Sequence, residues 1–75
     1  MSDKRIFIND DELTELINEN INQYVSKGHD IDDLKDNNKR LIFVKNIYDT
    51  YGAKYKIKLF NINSIILKRF ENTNE

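Results

Sequence analysis

The chain has no cysteine, no proline and no tryptophan, and its 75 residues include only two glycines and one histidine. Without cysteine it forms no disulfide, and one histidine is too few for the usual structural zinc sites. A chain of this length buries only about 60% of its unfolded surface, so its core is small. Self-association is then the remaining support for such a core. We expect a single domain over residues 1–75 that forms a homo-oligomer.

Long hydrophobic runs are also missing from the chain. No window approaches the roughly 20 apolar residues that a membrane-spanning helix needs. Residues 1–4 lead into no apolar signal-peptide core, and small secreted domains are usually rich in disulfides. We therefore expect a cytoplasmic protein that does not bind membranes.

The residue types that carry catalysis are scarce. The one histidine, His29, lies in a polar stretch, and only three serines are present as candidate nucleophiles. Gly28 and Gly52 are too far apart to build a phosphate-binding loop. Residues 29–33 place acidic side chains as a calcium loop does, but the central glycine and the later glutamate are absent. We expect a protein that is not an enzyme and that binds neither a cofactor nor a metal.

The two halves of the chain carry opposite charge, although the net charge is only −1. Residues 1–34 contain nine acidic and three basic side chains, whereas residues 35–75 contain nine basic and four acidic ones. Such asymmetry favours a charged partner.

The strongest local pattern predicts a helix over residues 10–27. Asn9 or Asp10 can cap its first turn, and Gly28 follows it, where a left-handed residue often ends a helix. Acidic residues near its start suit the positive end of the helix dipole. Its apolar side chains recur every three or four positions; they are Leu13, Leu16, Ile17, Ile21, Tyr24 and Val25.

The rest of the chain is predicted to be mainly β. Residues 4–8 alternate weakly, which indicates a short edge strand, and residues 28–38 form a polar connector, either a loop or one short helix. β-Branched and aromatic residues over 40–48 favour a strand. Strict alternation over 54–59 predicts a second strand, which pairs with the first in a hairpin around Gly52.

Residues 64–70 fit two structures. A third strand is favoured, but Ile62 and Ile66 also lie on one helical stripe. Residues 71–75 are predicted to be a frayed tail. The sequence therefore predicts an α+β fold, in which an N-terminal amphipathic helix packs on a small antiparallel β-meander over residues 39–70. In the alternative, the C-terminal segment is helical.

Three lysines at alternate positions of the predicted strand 54–59 project from one of its faces. Lys68 or Arg69 could join them from a neighbouring strand, which makes a row of cations suited to phosphates, and Tyr51 and Phe60 offer stacking surfaces. A solvated sheet face, defended by lysine against aggregation, is the other interpretation. The predicted nucleic-acid-binding residues are Lys54, Lys56, Lys58, Lys68 and Arg69.

A second set of candidate residues is acidic. Carboxylates on the first helix suit a protein partner with a basic cleft, although a solvated helix face would show the same residues. The predicted alternative protein-binding residues are Glu12, Glu15 and Glu19. An apolar face of the predicted sheet is a further candidate for this role.

Two segments resemble DNA-binding motifs. Residues 56–70 resemble a helix-turn-helix with Asn61 at the turn, but Ile57 stands where a small residue normally lets the helices cross. Residues 4–28 are similar to the opening of a ribbon-helix-helix protein, which has a short basic strand before a capped amphipathic helix. Neither resemblance assigns a family.

These observations predict a small non-enzymatic nucleic-acid-binding regulatory or accessory protein. Eleven asparagines and eleven isoleucines are typical of AT-rich genes, which occur in low-GC bacteria, in their phages and plasmids and in some eukaryotic parasites. Among these sources we expect a phage or other mobile element. The alternative function is a protein-binding inhibitor or adaptor, a phage-type antagonist of a host protein. The predicted partner is thus a nucleic acid or a host protein.

Overall fold

The structure, a computed structural model, describes residues 4–72. It is 74% helical, and its described part holds three α-helices and one pair of two-residue strands. The predicted α+β fold with an antiparallel meander over residues 39–70 is therefore wrong. In chain order the elements are β1 (Ile6–Phe7), α1 (Asp10–Ser26), a 3₁₀ helix (Ile31–Lys35), α2 (Asn37–Tyr51), β2 (Tyr55–Lys56) and α3 (Leu59–Asn72).

Helix α1 begins with a reciprocal cap. Asn9 Oδ1 accepts a hydrogen bond from the Glu12 backbone N–H at 2.8 Å, and the Asn9 N–H donates to the Glu12 carboxylate at 3.2 Å. At the other end Gly28 has a φ of +100°, a conformation that other residues rarely adopt. The helix predicted over residues 10–27 is present and ends one residue earlier, at Ser26.

The connector over residues 28–38 was predicted as a loop or one short helix, and the short helix is present as the 3₁₀ helix. Asp30 Oδ1 accepts a hydrogen bond from the Asp32 N–H at 2.9 Å and so caps the 3₁₀ helix. Leu34 of that helix is fully buried, and α2 already begins at Asn37. The connector therefore contributes to the hydrophobic core.

Helix α2 occupies the segment that was predicted as a strand over residues 40–48. Asp36 caps it by accepting a hydrogen bond from the Lys39 N–H at 3.0 Å. Its buried side chains recur at helical spacing, and their packing overrides the β propensity of the segment. These buried residues are Arg40, Phe43, Val44 and Ile47.

The hairpin predicted around Gly52 is also wrong. Gly52 has right-handed helical angles, with φ −67° and ψ −20°. Its N–H donates to the Tyr48 carbonyl at 2.7 Å, so the residue continues the last turn of α2 and does not reverse the chain.

The two short strands pair in parallel. Ile6 lies opposite Tyr55 and Phe7 opposite Lys56, and the Ile6 N–H donates to the Lys54 carbonyl at 2.7 Å. The edge strand predicted at the start of the chain is thus present but short. The strand predicted over residues 54–59 shrinks to two residues, because its last residue already opens α3.

Helix α3 replaces the strand that was favoured for residues 64–70, so the helical alternative is confirmed there. Ile62 and Ile66, one turn apart, are fully buried, as the helical stripe requires. The helix also runs unbroken through Asn61, where the resemblance to a helix-turn-helix requires a turn. That resemblance therefore does not describe the structure.

The frayed tail was predicted over residues 71–75, and the structure describes only the first two of these residues. Residues 71 and 72 belong to α3, and residues 73–75 lie outside the described part of the chain.

One hydrophobic core joins the three α-helices and the 3₁₀ helix. Arg40 is buried beside it with 7% of its surface exposed, and its guanidinium makes four hydrogen bonds. Nε donates to Asn63 Oδ1 of α3 at 2.7 Å. The Nη atoms donate to the carbonyls of Leu34 and Lys35 at 3.2 and 3.3 Å, and to Asn37 Oδ1 at 2.6 Å. Arg40 thus ties the 3₁₀ helix to the start of α2 and to α3.

We expect Arg40→Met to lower the free energy of unfolding by about 2 to 3 kcal/mol, because it leaves buried carbonyl and amide oxygens without a donor. Urea unfolding followed by circular dichroism measures this change. Lys39→Met, at the exposed neighbouring position, is the control and should cost less than about 0.5 kcal/mol. Equal effects of the two changes would show that the guanidinium does not hold the fold together.

Tyr24 connects α1 to the 3₁₀ helix. Its hydroxyl donates to Asp33 Oδ2 at 3.0 Å, its ring stacks on His29 at 4.4 Å between centroids, and it meets Phe43 edge-on. Partial burial raises the pKa of Tyr24 above its usual value, and the hydrogen bond to Asp33 and the nearby charges of Asp33 and Asp30 raise it further. The folded state therefore favours the neutral phenol.

A phenol whose pKa is raised by folding adds stability below its unfolded pKa and loses it as pH rises through the folded pKa. We expect the wild type to lose stability above about pH 10 more steeply than Tyr24→Phe does. Thermal melts from neutral to strongly alkaline pH, compared between the two proteins, test this. Parallel curves over the whole pH range would contradict it. The neighbouring side chains, Lys39 and His29 included, are the same in both proteins, so any difference between the curves comes from the Tyr24 hydroxyl.

Candidate functional site

Two of the predicted cations line a groove beside the strand pair. Lys56 lies in β2 and Lys58 immediately precedes α3, and both are exposed. The end of β1 and the start of α1 also line this groove, with the exposed ring of Phe7 and the carboxylate of Asp10. Asn61, on the first turn of α3, closes this strand groove.

Two more of the predicted cations line a second groove, which runs between α1 and α3. On α1 the wall is formed by Asp10, Thr14 and Asn18, which are spaced by four and therefore lie on one helix face. On α3 it is formed by residues of one helix side; they are Asn61, Ser64, Ile65, Lys68 and Arg69. This α1–α3 groove is polar along most of its length.

The two grooves adjoin because both contain Asp10 and Asn61. Together they form one continuous surface, which we call the basic surface, with Lys56 and Lys58 at one end and Lys68 and Arg69 at the other. Four of the five predicted nucleic-acid-binding residues therefore border the same surface. They come together because α3 runs alongside α1, not because they share a strand face.

Lys54, the fifth predicted cation, lies apart from these grooves. It is in the turn before β2, and its Nζ sits 5.2 Å from the centroid of the Tyr55 ring. The row predicted from alternate lysines on one strand is thus wrong, since only Lys56 of the three belongs to a strand.

The cations of the basic surface differ in how they are held by the fold. Arg69 Nη1 donates to Asn18 Oδ1 at 2.6 Å, which joins α3 to α1 and fixes the guanidinium in the groove. Lys56, Lys58 and Lys68 are exposed. Among the described residues that line the two grooves, Asp10 is the only carboxylate.

The stacking surfaces near these cations are not the ones predicted. Tyr51 is half-buried, and its hydroxyl accepts a hydrogen bond from Asn20 Nδ2 at 3.4 Å. Phe60 lines a different groove, between α2 and α3. Phe7, whose side chain is 75% exposed, borders the strand groove beside Lys56 and Lys58. Only the pairing of β1 with β2 brings it there, so spacing along the sequence could not reveal it.

The predicted acidic residues all lie exposed on α1. Glu12 is engaged in the reciprocal cap with Asn9, so it has a structural function. Glu15 and Glu19, one turn apart, lie on the same side of the helix. They form an acidic face that none of the described grooves includes.

A third groove, between α1 and α2, contains the residues around Tyr24 that sequence reasoning did not group. His29 and Lys39 line it with Asp33, whose Oδ1 lies 3.5 Å from Lys39 Nζ. Sequence patterns place His29 in the polar connector and in the acidic stretch 29–33, but not beside Tyr24 or Lys39. The 3₁₀ helix brings these groups together, and no spacing rule signals it.

Residues 4–72 contain neither a cluster of metal-ligating side chains nor a helix that could span a membrane. No group of three or more His, Cys, Asp or Glu side chains lies close enough there to hold a metal ion. None of the helices described in that range combines the length and the apolar character that crossing a bilayer demands.

Comparison with known proteins adds no assignment. No protein family matches the chain, and neither a curated protein nor a solved structure matches it.

Proposed function

We propose that this chain is a small non-enzymatic nucleic-acid-binding accessory or regulatory protein, which contacts phosphates through its basic surface. The observation that carries the proposal is the position of four cations along two adjoining grooves. Lys56 and Lys58 line one groove, Lys68 and Arg69 line the other, and Asn61 lies in both. We further propose that it acts in the cytoplasm and derives from a phage or other mobile element.

The polar groups between the cations support a phosphate partner. Thr14, Asn61 and Ser64 can donate hydrogen bonds to phosphate oxygens, and Arg69 is already oriented by Asn18. Lysine ammonium groups at the two ends add attraction that does not depend on sequence. Such contacts give affinity and orientation with little readout of bases.

The exposed ring of Phe7 favours a single-stranded partner over a duplex. An unpaired base can stack on an aromatic ring while its phosphates lie on neighbouring cations. Phe7 and Lys56 are partners in the strand pair, so the ring and the charge are held side by side. The duplex offers no free base face to this ring.

Asp10 moderates the affinity of this surface. Its carboxylate lies in both grooves and repels phosphates, while it also stabilises the N-terminus of α1. The proposed partner is thus bound in a salt-sensitive and reversible way.

We expect Lys56→Glu with Lys58→Glu to weaken binding of single-stranded DNA or RNA at least about tenfold at roughly 50 mM salt. The slope of log affinity against log salt should fall by about 1 to 2, because up to two phosphate contacts are lost. Fluorescence anisotropy with labelled oligonucleotides measures both quantities.

The matched control for this change is Lys27→Glu with Lys39→Glu, which alters the net charge equally at the α1–α2 groove. It should weaken binding no more than about threefold through long-range charge. Asp10→Asn should strengthen binding. Equal losses for the two lysine pairs would mean that the protein binds by net charge alone, and would remove the basic surface as a site.

We expect Phe7→Ala to weaken binding of a single strand at least about fivefold, because base stacking on an aromatic ring contributes about 1 to 3 kcal/mol. A duplex of the same sequence is the control and should bind equally well to both proteins. An unchanged affinity for single strands would show that Phe7 does not contact bases.

A protein target remains the alternative function. If no oligonucleotide binds at low salt, the acidic face of α1 is the surface to test against a basic host protein, by Glu15→Lys with Glu19→Lys. Glu12 is left unchanged in that test because it caps α1.

A further inference from the structure

An apolar groove lies between α2 and the start of α3, on the side of α3 away from the basic surface. Its floor and walls include Leu41, Val44 and Tyr48 from α2, with Leu59 and Phe60 from α3. None of the five predicted cations lines it. We call it the apolar groove.

The ring of Phe60 projects from the wall of the apolar groove. Phe60 is 76% exposed, Leu41 is 55% exposed and Leu59 is 47% exposed, although all three are large apolar side chains. Contiguous exposed apolar residues mark an interaction surface. A projecting ring next to a cleft is a shape that can complement its own copy, because a twofold axis sets the ring of each copy against the cleft of the other.

The charges at the rim are also self-complementary. Lys45 and Asp49 border the groove and pair at 3.1 Å, and both side chains are well exposed. This rim has no excess of either sign, so it attracts neither a polyanion nor a strongly basic protein. In a twofold pair, Lys45 of each copy can face Asp49 of the partner subunit, which gives two equivalent ion pairs.

We propose that a second copy of this chain occupies the apolar groove, with Phe60 of each protomer packed in the groove of its partner. The twofold axis passes α2 between Lys45 and Asp49. This dimer does not depend on the proposed nucleic-acid function. It leaves the basic surface of each protomer free, since that surface lies on the other side of α3.

We test the dimer by sedimentation velocity on the purified chain without nucleic acid, over roughly 1 to 500 µM. The expected mass is that of a dimer at the upper end of this range. Phe60→Ser should raise the dissociation constant at least about tenfold. Ile42→Ser, at an exposed apolar side chain of α2 that lies outside the apolar groove, is the control and should leave the dimer unchanged.

A charge exchange separates this interface from any other contact. Lys45→Glu and Asp49→Lys should each dissociate as homodimers, because each places like charges across the axis. An equimolar mixture of the two variants should restore the dimer, since opposite charges then face each other at both pairs. Thermal melts of each variant establish that it is folded.

Three results would overturn the proposal. They are a wild-type monomer at every concentration, a dimer that survives Phe60→Ser, and a mixture of the charge variants that stays monomeric. Association seen only after adding an oligonucleotide, or only with another protein, also counts against it, because the groove would then have a different occupant. None of these results bears on whether the basic surface binds phosphates.

Discussion

A single buried guanidinium, that of Arg40, joins three elements of this fold. Arg40 gives its hydrogen bonds to oxygens of the 3₁₀ helix, of the first turn of α2 and of Asn63 on α3. All of these acceptors are neutral, so the charge is solvated by oriented dipoles and not by a carboxylate. Among the described residues no buried side-chain nitrogen or oxygen lacks a partner. The arrangement holds only when all three elements are present together, which makes their packing mutually dependent.

Arg40 also explains why a strand was predicted where α2 lies. A buried stripe of Arg40, Phe43, Val44 and Ile47 has helical spacing, but its first member is charged and reads as solvent-exposed. Leu41 and Ile42 are apolar yet exposed, and they complete an apolar run that favours a strand. In contrast, α1 could be predicted because its cap and its stripe agree. The periodicity of α3 was visible, but the run was too short to decide between strand and helix.

The candidate site could also be predicted only in part. The cations of the basic surface could be named from the sequence, since exposed lysines and arginines are visible there. The reason for their proximity could not, because it depends on α3 lying against α1 and on the contact of Arg69 with Asn18. Phe7 and the groove around Tyr24 could not be found either, since each is assembled from segments that only the fold brings together. Alternation at three lysines suggested a strand, whereas the last of them precedes a helix.

Helix α3 connects these surfaces because its three sides face different surroundings. Ile62 and Ile66 face the core, Asn61 and Lys68 face the α1–α3 groove, and Phe60 faces the apolar groove. Residues on one helix side are separated by three or four positions, so the three sets interleave without sharing a side chain. A substitution on the basic surface can therefore leave the apolar groove unchanged, and the reverse also holds. Asn63 borders the apolar groove and also accepts the hydrogen bond from Arg40, so the side of α3 that faces this groove is fixed to the core.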